Sequence, residues 1–197
     1  LELILAGCDA AKIRVISPGV ARYCEPSQRN VRERIGFPLP RKLIVSSGVV
    51  TPETGILETI TAVSGLARDL DVGYLILRTP QPDVPESRQY LERCKSAVRR
   101  LHLERRVTFL ENLSHHQTLE CMAAADAIVL FHRMGSSGWS HDAALALSSG
   151  RPVITSTDPG FWSFGEAVLP IGDSSQLTGA LRSVLTNPML AGELRQR

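Results

Sequence analysis

One stretch near the carboxyl-terminal end, residues 125–157, limits the possible folds of this 197-residue chain more than any other. It begins with an unbroken apolar run, Ala-Ile-Val-Leu-Phe at 127–131, in which no polar residue alternates. Such a run is typical of a strand that is buried on both faces, as in a parallel sheet covered by helices. A glycine- and serine-rich loop at 135–140 follows, and then an apolar helical run that Gly150 and Pro152 end. The stretch therefore predicts a strand–loop–helix–strand (βαβ) unit.

The loop between this strand and this helix is the first candidate for a binding site. In open α/β sheets, ligands bind beyond the carboxyl ends of the strands, where helix N-termini offer amide groups and a positive dipole to anions. We therefore expect phosphate chemistry at residues 135–140. The alternative is that Gly135 and Gly138 serve only a tight turn, and one glycine-rich loop does not decide between the two.

The rest of the chain repeats the alternation of strand and helix patterns. Strands are predicted at residues 11–16, 43–45, 74–77, 107–110, 153–155 and, as an edge strand because of its proline, 167–170. Helices are predicted at 26–35, from Thr51 with Pro52 in its first turn, around 91–101, at 118–125 and from Asp173 onward. This alternation predicts a doubly wound parallel α/β sheet, Rossmann-like, in a single domain over residues 1–197.

Composition excludes several classes of protein. A hydrophobic fraction of 43% suits one globular core without disulfides, and a net charge of +2 is too small to indicate a nucleic-acid partner. No apolar run approaches the roughly 18 residues of a transmembrane segment, and four dispersed cysteines indicate reduced thiols in the cytoplasm. The chain opens without Met and ends within a helical pattern, so we expect it to be an excised part of a longer protein.

The order of six short motifs resembles the C-terminal, donor-binding domain of the GT-B-fold group 1 glycosyltransferases, the glycogen-synthase-like retaining family. The motifs lie at residues 13–20, 43–55, 103–110, 119–130, 150–154 and 171–173. No single motif is specific, but six in the family's order are. The resemblance implies a domain that binds a nucleotide-sugar and faces a missing N-terminal acceptor domain. It also implies sugar transfer to a glycan or lipid acceptor, as in polysaccharide biosynthesis.

The side chains with which that family binds its donor are changed in this chain. The Arg expected after Gly48 is Val49, and the Lys expected before the next glycine is Thr54, so both cations for the pyrophosphate are absent. The ribose-binding Glu falls on Leu145 and the sugar-binding Glu falls on Ser137, or on Gly135 or Ser136 if the loop carries an insertion. Losing a charged partner in a buried site costs on the order of a few kcal/mol.

The resemblance therefore leaves mainly backbone and loop positions as donor-site candidates. These candidates are Gly48, Val49, Thr54, Asn112, Arg133, Ser137, Gly138, Trp139, Ser140, His141, Leu145 and Gly160. Arg133 is preferred to Arg151 as a replacement cation, because Arg151 follows the cap of the helix on the far side of the sheet. No catalytic residue and no cofactor are predicted.

Two further groups of residues have simpler interpretations. Asp142 is interpreted as an acid of the first helical turn and Ser140 as its cap, both favoured by the helix N-terminus. The neighbouring His115 and His116 have no metal-ligand partners at a suitable spacing, so no metal is predicted. Two functions stay open: a donor-binding domain of a glycosyltransferase, and a catalytically degenerate domain that serves as a scaffold or binds a partner.

Overall fold

The computed structural model of the protein describes residues 2–13, 28–37, 39–79, 85–132 and 141–196. Within these ranges, six strands form one sheet with the order β3-β2-β1-β4-β5-β6, and each strand is parallel to its neighbours. The strands are β1 Lys42–Gly48, β2 Val72–Arg78, β3 Val107–Glu111, β4 Ala127–Leu130, β5 Val153–Ser156 and β6 Leu169–Ile171. The predicted doubly wound parallel sheet is confirmed.

Helices cover both faces of this sheet. These are α2 Gln28–Arg34, α3 Ile56–Leu66, α4 Pro85–Arg100, α5 His115–Ala123, α6 His141–Ser148, α7 Leu177–Thr186 and α8 Pro188–Gln196. A short helix, α1 Glu2–Leu5, precedes them, and its Ile4 and Leu5 are exposed. Buried residues of α3, α4, α7 and α8 form one core with the sheet, and those of α2, α5 and α6 form a second core on the opposite face. Each face of the sheet therefore has its own apolar layer.

Strand β4 shows why its sequence lacks alternation. Its residues point in turn to the two cores: Ala127 and Val129 belong to the first, and Ile128 and Leu130 to the second. All four are at most 2% exposed. A strand that lies between two helical layers has no solvent-facing side, so every position is apolar.

The helix predicted from Thr51 begins later than the sequence indicated. Residues Pro52–Thr54 form a 3-10 turn, and α3 starts at Ile56, after Gly55 in the left-handed region with φ +60°. A Cβ atom at Gly55 would collide with the carbonyl oxygen and ring of Phe131. The close approach of β4's end to this turn therefore separates the turn from the helix.

Two other predicted elements differ from the structure. Residues Ala10–Lys12 form a 3-10 turn where the strand at 11–16 was expected, and residues 14–16 lie outside the described ranges. The helix expected at 118–125 begins at His115, because Ser114 and Gln117 form a reciprocal capping box. The edge position of β6, with Pro170 inside it, is as predicted.

Candidate functional site

The strand order places a crevice between β1 and β4, where the order of strands reverses. Ligands of doubly wound sheets bind at such a switch point, outside the carboxyl ends of the strands. Helix α6 begins at this edge with His141. Residues 133–140, which join β4 to α6, lie outside the described ranges, so the site predictions for Arg133, Ser137, Gly138, Trp139 and Ser140 stay predictions.

A cleft of about 220 Å³ opens at this carboxyl edge. The ends of β1 and β2, the segment from Leu113 to α5, and the first turns of α6 contribute its lining. The lining residues are Ser47, Leu77, Arg78, Thr79, Leu113, His115, Thr118, His141, Asp142 and Leu145. A concave site with apolar side chains and a few polar groups is typical of small-molecule binding.

The carboxylate of Asp142 connects α6 to the end of β1. The Ser47 hydroxyl donates a hydrogen bond of 3.1 Å to Asp142 Oδ1. Gly48 lies against the same carboxylate, because a Cβ there would be 3.0 Å from Asp142 Oδ2, and its φ is +124°. A residue that the sequence indicated only as a first-turn acid therefore lines the cleft. The sequence feature that could have identified Asp142 as a cleft residue is its position three residues before Leu145, on the same face of the helix.

Arg78 is a second cleft residue that sequence analysis missed. It ends β2, and it is register partner to Gly48 of β1 on one side and to Glu111 of β3 on the other. Its Nη1 donates to Glu111 Oε1. The feature that could have identified Arg78 as a site residue is its position: it is a cation at the end of a strand whose other six residues are all buried.

The predicted donor-site residues occupy different places around this cleft. Leu145 and His141 line it, and the His141 ring centroid is 6.3 Å from that of His115. Gly48 lies close to the Asp142 carboxylate, while Val49 is half-buried directly after the strand. Asn112 is exposed after β3, with φ +57°.

Thr54, which stands where the family resemblance leads us to expect a Lys, forms its hydrogen bonds within its own turn. Thr54 Oγ1 donates to the Thr51 carbonyl at 2.8 Å and accepts the Thr51 amide at 3.2 Å. Gly160 lies across the edge, beyond β5, where its amide donates 2.8 Å to Oδ1 of the buried Asp158. Both groups are therefore engaged in local hydrogen bonds.

His132 lies between these two parts of the edge. Its amide donates to the Ser156 hydroxyl at 3.2 Å, and its ring packs on the buried Phe161 at 4.9 Å between centroids. Burial lowers the pKa of His132, while the carboxylates of Asp142 and Asp158 act in the opposite direction. A neutral imidazole is therefore favoured here.

Two features are absent from the described ranges. No group of three or more His, Cys, Asp or Glu side chains in them is arranged to hold a metal ion. Among the helices that the structure describes, none has both the length and the apolar character that a bilayer crossing needs.

Several solved structures share this fold. An Anabaena protein, Alr3699/HepE, in complex with UDP and glucose, is 20% identical with a TM-score of 0.79 over 98% of this chain and 52% of its own. A glycosyltransferase from Rickettsia africae is 16% identical, with a TM-score of 0.80 over 99% of this chain and 54% of its own. Sucrose-phosphate synthase from Thermosynechococcus elongatus is 20% identical, with a TM-score of 0.73 over 91% of this chain and 45% of its own. The chain spans about half the length of these proteins.

The sequence itself identifies the family. No curated protein is significantly similar to the chain. The profile of the family described as glycosyl transferases group 1, however, matches residues 27–197, which include all six strands. Together with the shared fold, this match shows that the chain belongs to the group 1 glycosyl transferases.

Proposed function

We propose that this domain binds the nucleotide-sugar donor of a glycosyltransferase in the cleft between β1, β2 and α6. The observation that carries the proposal is the position of Asp142, whose carboxylate accepts a hydrogen bond from Ser47 and lies close to Gly48 at the carboxyl end of β1. A carboxylate accepts strong hydrogen bonds from hydroxyl groups, and the ribose and the sugar of such a donor offer several.

The position of Asp142 fits the task that Leu145 cannot perform. Leu145 stands where the resemblance places the ribose-binding glutamate, and its side chain accepts no hydrogen bond. Asp142 lies one turn earlier on the same helix and lines the same cleft. A carboxylate is therefore present in the cleft, displaced by one helical turn.

The transfer reaction belongs to the whole protein. We propose that an N-terminal domain brings a glycan or lipid acceptor to this domain in the cytoplasm, as in polysaccharide biosynthesis. The similarity to an Anabaena protein that binds UDP and glucose favours a uridine donor. The domain needs no metal in this proposal, because the nucleotide contacts come from side chains and backbone groups.

A second candidate function is a degenerate domain that binds a protein partner instead of a nucleotide. The observation that favours it is the loss of both expected cations, at Val49 and Thr54, together with the engagement of the Thr54 hydroxyl in its own turn. This function predicts that no nucleoside diphosphate binds.

A thermal-shift titration with UDP, GDP, ADP and their common sugar conjugates separates the two. A ligand that binds only the native state stabilises it by about 2.7 kcal/mol at a hundredfold excess over Kd. We expect a shift with one base, and an affinity at least about tenfold weaker in Asp142→Asn, which loses a charge-assisted acceptor.

The matched control is Asp69→Asn, which neutralises an exposed carboxylate that pairs with Arg182 on another part of the surface. Its nucleotide affinity should equal that of the unchanged protein. If none of the ligands shifts the transition, the donor-binding function is wrong and the partner-binding function stands.

A further inference from the structure

The cleft contains an arginine whose hydrogen bonds are incomplete. Among the residues that the structure describes, Arg78 is the only Lys or Arg residue that lines the cleft. Its Nη1 donates to Glu111, but its buried Nε has no hydrogen-bond partner among the residues that the structure describes. A guanidinium carries five N–H groups, and the edge formed by Nε and Nη2 matches two oxygens of a phosphate.

Arg78 lies next to the turn at residues 49–54, in which Val49 and Thr54 stand at the positions of the two expected cations. Arg78 is the register partner of Gly48, and the amide of Thr79 donates to the Gly48 carbonyl at 3.0 Å. Val49 follows directly on β1. The arginine on β2 is therefore adjacent to the segment where the family resemblance leads us to expect a cation.

The other charges of the cleft decide which end is suited to an anion. Asp142 stands at α6 and repels an anion there, whereas Arg78 stands at β2. Glu111 compensates part of the Arg78 charge, and its side chain is half exposed. A ligand with hydroxyl groups at one end and phosphates at the other matches this polarity.

We propose that Arg78 is the residue that binds the diphosphate of the ligand, through N–H groups of its guanidinium that do not pair with Glu111, while Glu111 holds the guanidinium in position. This inference rests on the proposed function, since it assigns the phosphate contact of that same cleft. Arg78 thereby replaces the two cations missing at Val49 and Thr54.

The test compares a nucleoside with its diphosphate by isothermal titration calorimetry, using UDP and uridine, GDP and guanosine, and ADP and adenosine. Arg78→Ala should weaken the diphosphate at least about tenfold and leave the nucleoside within about twofold, because only the diphosphate contacts the guanidinium. Arg78→Lys keeps the charge without the two-nitrogen edge, so its loss should be intermediate. The diphosphate affinity of Arg78→Ala should also depend less on salt.

Two further variants serve as controls that separate a lost phosphate contact from a general effect on folding. Glu111→Gln removes the negative charge but keeps a side-chain oxygen that can accept the Nη1 hydrogen bond, so it should still position Arg78 and bind the diphosphate as tightly as, or more tightly than, the unchanged protein. Arg182→Ala breaks an arginine–carboxylate pair outside the cleft and should change neither affinity.

Four outcomes overturn the inference. Equal diphosphate affinity in Arg78→Ala means that the residue only pairs β2 with β3, and an equal loss for nucleoside and diphosphate means that it shapes the cleft. If the unchanged protein binds nucleoside and diphosphate equally, the phosphates make no contact. Absence of all binding by the unchanged protein contradicts the proposed function itself, and the inference with it.

Discussion

Gly55 shows how one residue can be required by a neighbour that is distant in sequence. Its φ of +60° is unfavourable for other residues, and a Cβ would also lie 2.7 Å from Cδ1 of Phe131. We expect Gly55→Ala to lower the free energy of unfolding by at least about 2 kcal/mol, from backbone strain and steric overlap together. Urea denaturation measures this quantity.

The control for this substitution is Gly179→Ala in α7, where a Cβ would meet no atom within 4 Å. This change should stabilise the protein by up to about 1 kcal/mol, because Ala favours a helix interior. Equal effects of the two substitutions would contradict the proposed role of the Phe131 carbonyl.

Arg32 is a buried charge with a complete set of partners. It is 1% exposed, and its three nitrogens donate to the Ala124 carbonyl at 2.8 Å, to the Arg41 carbonyl at 2.7 Å and to Asp126 Oδ2 at 2.7 Å. These bonds attach α2 to the amino ends of β1 and β4. Arg32→Met should cost about 3–5 kcal/mol, since Asp126 then loses its buried partner.

An exposed arginine of the same helix provides the comparison. Arg29 pairs with Glu33 at the surface, and Arg29→Ala should change the free energy of unfolding by less than about 1 kcal/mol. If chemical denaturation shows the two substitutions to be equivalent, the buried network does not stabilise the fold.

At the scale of single elements, α5 depends on its cap. Ser114 Oγ accepts the Gln117 amide at 3.2 Å, and Gln117 Oε1 accepts the Ser114 amide at 2.8 Å. Ser114→Ala removes one of these bonds and should cost about 1 kcal/mol in thermal denaturation. Since α5 also carries His115 and Thr118 of the cleft, this variant should bind ligand less tightly as well.

A serine inside a helix serves as the control for the cap. Ser183 is exposed within α7, so Ser183→Ala should be neutral or slightly stabilising, in line with helix propensity. A loss at Ser183 as large as that at Ser114 would show that capping is not the cause.

At the scale of the whole molecule, each core contains one buried cysteine among the residues that the structure describes. Cys94 belongs to the core under α3 and α4, and Cys121 to the core under α5 and α6. Burial raises the pKa of Cys94 to about 12 and that of Cys121 to about 11. The reactive thiolate is therefore scarce in the native state at pH 8.

We expect a thiol reagent at pH 8 to label the exposed Cys8 rapidly and to reach Cys94 and Cys121 only after unfolding. Mass spectrometry of the peptides assigns each site. Equal labelling rates for the two buried thiols would mean that both cores unfold together. Labelling of either at the rate of Cys8 would contradict its burial in a core.

The same thiols give a pH dependence. In the unfolded chain they lose their protons above about pH 8.5, whereas the folded chain retains them to higher pH. The unfolded state is therefore favoured as pH rises above this value. Denaturation curves between pH 7 and 10 should show a falling free energy of unfolding, and substitution of both residues by Ala should flatten the slope.

The sequence by itself determined the sheet, its parallel direction, the helical layers and the family. These properties follow from local patterns, because a strand buried on both faces needs an unbroken apolar run and an amphipathic helix needs its 3.6-residue period. Residues 127–130 are the clearest example, since their composition alone indicates two cores. The order of six motifs then indicated the group 1 glycosyl transferases.

Only the tertiary structure decided where α3 begins and which side chains meet in the cleft. The start of α3 depends on the Phe131 carbonyl against Gly55, and the cleft brings Arg78 of β2 to the same edge as Asp142 of α6. Neither contact leaves a periodic pattern in the chain. The parallel crossovers bring together residues far apart in sequence, so their proximity is a property of the folded sheet alone.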